Sequence, residues 1–240
     1  MSHFAQVFCA DSSPRYGGLE RKRPSGMILR IAGNRESSAM PETLDKTTTT
    51  TLLEGLFDPS NAFVWEAFDA RYRPIITAYA LKLGLRPDEA DDIAQDALVA
   101  FVREYRAGKY NRSRGRLRGW IIGIVKNHVL DRRRAVFNRR ERRGDSVLIT
   151  LPDDARLSEI WETERRTVLL RRALTVLRET SRITDQTIRA FELFVLHERT
   201  ADDVAAELGV TARDVYMAKK RVAERLREIL AQFEQVYDDG

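Results

Sequence analysis

From Leu52 onward, apolar residues recur every three or four positions, segment after segment, the period of an amphipathic helix. "LLEGLFD" opens this pattern and is stopped by Pro59. "NAFVWEAFDARYRPIITAYALKLG" carries Val64, Trp65, Phe68 and Tyr72 along one broad face; Pro74 is expected to kink or divide it, and Gly84 to end it. "RPDEADDIAQDALVAFVREY" begins with acids, which favour the positive end of a helix dipole. Its buried stripe is predicted at Ile93, Ala97, Leu98, Phe101, Val102 and Tyr105. After a polar, Arg-rich loop, "LRGWIIGIVKNHVLDRRRA" turns Leu117, Trp120, Ile121, Ile124, His128 and Val129 inward. No segment alternates with period two for long enough to make a strand, and "VLITL" at 147–151 is the only β-like piece. The pattern predicts an all-α protein.

The pattern also divides the chain. Residues 1–50 mix Gly, Pro, Ser and charge without periodicity and read as a flexible tail, in which Met27 and Met40 leave the start position open. Residues 51–137 form a first helical domain. Residues 138–159, with the Arg-rich run 139–143, Gly144 and Pro152, have the composition of a flexible linker. Helical patterning resumes near Ile160 and makes residues 160–240 a second small domain. No internal repeat is present.

Within the second domain, "TADDVAAELGVTARDVYMAKKRV" reads as a helix–turn–helix. Thr200 and Thr211 each precede a helix, with Asp203 and Asp214 three residues on, the spacing of a capping box. Gly209 falls where a left-handed residue is needed to turn. Val204, Ala205, Leu208, Val210, Val215 and Ala218 fit the interior, and the small Ala205 allows close helix crossing. The opposite side of the second helix presents Arg213, Tyr216, Met217, Lys220 and Arg221, with Asp214 and Lys219 at its edges. Cations there can meet phosphates or guanine edges, so the segment is expected to bind DNA; a hairpin packed only for stability leaves them unexplained.

Composition narrows the classes. The 240 residues carry a net charge of +5 and are 43% hydrophobic and 32% charged, which suits a globular protein with an acidic partner. One cysteine, Cys9, supports neither a disulfide framework nor a cysteine metal site and suits a reducing cytoplasm. The histidines His3, His128 and His197 lack ligand spacing, and there is no phosphate-binding glycine loop. No apolar run spans a membrane, and the N-terminal residues lack the pattern of a secretory signal. No enzyme, metal or cofactor is expected.

"ADDIAQDALVAFVREY" followed by "GRLRGWIIGIVKNHVLDRRR" resembles region 2 of bacterial RNA polymerase sigma factors, and "LGVTARDVYMAKKRVAERLREIL" is similar to region 4. The order and spacing resemble the short extracytoplasmic-function branch, which keeps only these two regions. The resemblance implies that Asp92, Gln95, Asp96 and Arg103 contact the clamp helices of the polymerase largest subunit. It implies that Tyr110 and Asn111 in the loop receive a base flipped from the −10 strand, an ordinary exposed loop being the alternative. Asn127, Asp131 and Arg134 share a helix face and fit the family's "RNxxxDxxR", with Lys126 in place of the first Arg. Asn127 and Arg134 join Lys126, Arg132 and Arg133 as candidates for the separated strands, while Asp131 fits an anchor for a neighbouring Arg and Trp120 the core.

The second helix of the helix–turn–helix would read the −35 element, and its domain would meet the flap of the second-largest subunit. "TARDVYMAKKR" departs from the family's usual recognition sequence, so the promoter does not transfer. The implied partners are core RNA polymerase, promoter DNA and, as is common in the family, an anti-sigma protein; the implied place is the bacterial cytoplasm, at the nucleoid, with no membrane. The competing readings are a stand-alone helix–turn–helix regulator and an adaptor that binds polymerase without DNA.

Overall fold

The computed structural model describes residues 49–111, 116–141 and 151–237. The tail to residue 48 with His3, Cys9, Met27 and Met40, loop residues 112–115, Gly144, "VLIT" at 147–150 and the side chains of the Arg-rich run 139–143 lie outside them. Among the described residues the fold is all-α, as the periodicity predicts. The helices are α1 (Thr49–Gly55), α2 (Ala62–Lys82), α3 (Pro87–Arg106), α4 (Leu117–Glu141), α5 (Asp154–Thr180), α6 (Asp185–Phe191), α7 (Ala201–Leu208) and α8 (Ala212–Val236). A single π turn, Glu192–Leu196, follows α6.

Helices α2, α3 and α4 enclose one end of the core, and α1 closes it. Phe68 and Phe101 stack at 4.9 Å between α2 and α3, and Ile121, Val125 and Val129 of α4 are buried beside them. The predicted stripes are correct for most positions, but Tyr105, Trp120 and His128 are half-buried while Ile122 and Val125 are buried. Four-residue spacing from Ile121 carries the stripe through Val125 to Val129. Pro74 is exposed inside α2 and does not divide it, because packing of Tyr72, Ile75, Ile76 and Tyr79 holds the helix across the missing N–H.

The start of α5 differs from its sequence reading. Residues 154–159, assigned to the linker by composition, are helical, because Asp153 caps them: its Oδ1 accepts the Arg156 N–H at 2.8 Å. The first turns of α5 pack on the α2–α4 end. Leu157 and Trp161 are fully buried, and Trp161 meets Tyr79 edge to face at 5.4 Å. Arg118 pairs with Glu162 at 2.6 Å and Lys82 with Glu164 at 3.7 Å around this contact.

Helix α8 reaches the same core from the other side. Val222, Leu226, Ile229, Phe233 and Val236 recur at helical spacing along its buried face. Its last carbonyls need partners from outside the helix. Thr49 Oγ1 donates to the Val236 carbonyl at 3.0 Å and Arg71 Nη1 at 3.3 Å, and the Arg71 guanidinium lies 4.9 Å from the centre of the Tyr237 ring.

The packing of α1 on α2 yields a first prediction. A Cβ built on Gly55 would lie 2.7 Å from Cγ2 of Val64, a β-branched side chain with little rotamer freedom. Gly55→Ala is expected to destabilise the protein by about 1–3 kcal/mol from this overlap, which outweighs the about 1 kcal/mol alanine gains in a helix. Urea unfolding reads the difference, and a more stable variant would refute the contact.

Candidate functional site

Two surfaces carry the residues singled out in the sequence. The first is built on α3 and α4. Asp92, Gln95, Asp96 and Arg103 are all exposed on α3, because Ile93, Ala94, Ala97, Leu98 and Phe101 turn the other side into the core. Val99, 51% exposed, lies within this polar face and was missed. Its neighbours "ALVAFV" make it look like core, and only its spacing from Asp92, Gln95 and Asp96 marks the exposed side.

The cations of α4 are engaged by the protein itself. Arg132 pairs with Asp92 at 3.0 Å and lies 3.9 Å from Glu89, so α4 is tied to the face of α3. Arg133 donates to the Leu83 carbonyl at the end of α2. Lys126 pairs with Asp154 at 2.6 Å, in the first turn of α5. Arg134 donates to Asp131 Oδ1 at 3.1 Å, and Asn127 is exposed one turn before Asp131. The ion pairs among these contribute about 0–1 kcal/mol each.

Tyr110 and Asn111 follow the end of α3. The Tyr110 ring stacks on Trp120 at 5.1 Å, and Trp120 packs on Phe101 at 5.0 Å. Trp120 thus joins the core to the loop aromatic, so Tyr110 sits on a prebuilt aromatic stack. Asn111 is exposed beside it.

The second surface is built on α7 and α8. Thr200 Oγ1 caps α7 by accepting the Asp203 N–H at 3.1 Å. The two capping boxes expected from sequence differ: α7 has the threonine half alone, Asp203 being exposed to water, and α8 has both halves. At α8, Thr211 Oγ1 accepts the Asp214 N–H at 3.2 Å, and Asp214 Oδ2 accepts the Thr211 N–H at 2.9 Å and the hydroxyl at 2.6 Å. These bonds hold the Asp214 carboxyl below the usual carboxylate range. Asp214 is therefore committed to fixing the start of α8.

Gly209 turns the chain at φ +65°, and its N–H closes on the Ala205 carbonyl. Gln186 of α6 donates to the Leu208 carbonyl at 3.0 Å, satisfying another group of the turn. Val204, Ala205, Val215 and Ala218 form a small separate core with Ala190, Leu193 and Ala201. It holds α8 so that Arg213, Tyr216, Met217, Lys220 and Arg221 are exposed together, with Lys219 half-buried at the edge.

Among the described residues no group of His, Cys, Asp and Glu is placed to hold a metal ion, and no helix is long and apolar enough to cross a membrane. Residues 68–140 match the family model of sigma-70 region 2. No curated protein matches the chain. The matched segment runs from the core aromatic Phe68 through the exposed face of α3 to the basic end of α4.

Proposed function

We propose that the chain is a promoter-specificity subunit of bacterial RNA polymerase, a sigma factor of the extracytoplasmic-function type with no catalytic chemistry of its own. The observation that carries the reading is the region 2 match over 68–140, whose polar α3 face and Asn127–Asp131 row stand exposed. Asp92, Gln95, Asp96 and Arg103 dock on the clamp helices, with Val99 as an apolar contact among them. Tyr110 and Asn111 take the flipped base of the −10 strand, Asn127 reads a base edge, and Lys126 with Arg132, Arg133 and Arg134 holds phosphates. Helix α8 enters the −35 major groove with Arg213, Tyr216, Met217, Lys219, Lys220 and Arg221. Tethering two weak DNA sites on one enzyme raises the overall avidity. The protein works in the cytoplasm, and polymerase supplies catalysis and its metal ions.

Co-purification with core bacterial RNA polymerase tests this. The full chain is expected to bind core enzyme, and Asp96→Arg to weaken binding by about tenfold or more through like-charge contact on an exposed face. Tight duplex binding by the free chain without polymerase association would replace the reading with a stand-alone regulator.

A further inference from the structure

The π turn Glu192–Leu196 has no part in the function so far. Turns of this kind are rare and are frequently found at functional sites. Here the turn carries Phe194. Leu193 and Ala190 turn into the small core of the α7–α8 unit, while the Phe194 ring lies half-buried against α8. It meets Tyr216 edge to face, with centroids 5.4 Å apart at 86°, and the Lys219 ammonium sits 5.7 Å from its centre. One ring therefore holds two side chains three residues apart on the exposed helix.

This arrangement sets what α8 offers. Tyr216 and Met217 are 57% and 49% exposed, an adjacent apolar pair in the second turn of a capped helix. The first turns of a recognition helix lie against base edges. An apolar side chain there has one distinctive partner in the major groove, the thymine methyl group. Lys219, drawn toward the Phe194 ring, leaves the middle of that face to the apolar pair.

We propose that Phe194 is a positioning residue for DNA reading: carried on the π turn, it fixes Tyr216, beside the exposed Met217, as an apolar contact for thymine methyl groups and keeps Lys219 at the edge, where it meets phosphate. The inference rests on the −35 reading proposed above.

The test uses the full chain with core polymerase and promoter fragments randomised across the −35 element. Wild-type protein is expected to enrich thymine at one or two adjacent positions, and replacing that thymine by uracil to weaken binding about fourfold, the worth of one buried methyl group. Phe194→Leu keeps apolar volume in the small core but removes the ring. It is expected to level the thymine preference and the uracil penalty while lowering the salt slope by no more than about one, the share of Lys219, because the phosphate contacts of the other cations remain. Phe194→Tyr, which keeps the ring, is expected to retain both effects, and Tyr216→Ala to abolish them.

An unchanged Phe194→Leu profile, or a loss equal across all sequences, would overturn the role of Phe194 while leaving the −35 reading in place. A wild-type complex that selects no duplex sequence in this element would overturn both.

Discussion

Trp161→Ala is expected to lower the unfolding free energy by about 3–5 kcal/mol, the range for deleting a large buried aromatic side chain. Trp161 has no exposed surface and is the largest fully buried side chain among the described residues. It joins α5 to Tyr79 of α2, inside a ring of ion pairs from Arg118 to Glu162 and Lys82 to Glu164. Those pairs are partly exposed and cannot replace the lost burial. The loss compares with a total stability of about 5–15 kcal/mol for an ordinary domain, so the variant stands near the threshold of folding.

The contact also has a built-in cost. Trp161 Nε1 and the Tyr79 hydroxyl are buried without a hydrogen-bond partner among the described residues, and burial pushes the Tyr79 phenol well up from its usual pKa. Tyr79→Phe removes one of these groups with little change of shape and serves as the control, neutral or stabilising by about 1 kcal/mol. Urea unfolding of both variants reads the pair. A loss below about 1 kcal/mol for Trp161→Ala would mean that α5 is not docked on α2 in solution.

The largest functional effect is expected from reversing Lys220 and Arg221 to glutamate together. Both are exposed on α8, so stability should change by no more than about 0.5 kcal/mol for each. Binding of promoter fragments through the −35 element should fall by about a hundredfold or more, since each reversal removes a cation and adds an anion against the DNA backbone. Single Lys220→Ala and Arg221→Ala variants separate the two roles open to each residue. A lost phosphate contact weakens all sequences alike and lowers the salt slope by about one; a lost base contact relaxes one position. Association with core polymerase should be little affected, because the proposed clamp contacts are on α3 and neither residue is among them. Unchanged fragment binding by the double variant would remove α8 from the DNA interface.

The elements of this fold were legible wherever local chemistry decides them. Three- and four-residue apolar spacing marked α2, α3 and α4, and the Thr211–Asp214 cap and Gly209 turn were readable because each depends on neighbours within a few residues. The start of α5 was not, because Pro152 and a run of polar residues look like linker until Asp153 is recognised as a cap. The exposed face of α3 could be drawn from its stripe, yet Val99 was hidden by its apolar neighbours.

By itself the sequence determined an all-α chain, a helix with an exposed basic face, its cap and its preceding turn, and the row of Asn127 and Asp131, all properties of short segments. Tertiary structure alone decided that α5 and the end of α8 pack on the α2 core, that Arg132, Arg133 and Lys126 are engaged by α3, α2 and α5, and that Phe194 meets Tyr216 and Lys219. The reason is separation along the chain. Periodicity reports which side of a helix is apolar, but it does not say which distant helix covers that side. Val236 closes on Thr49 and Arg71 across most of the chain, and no local pattern encodes such a partner.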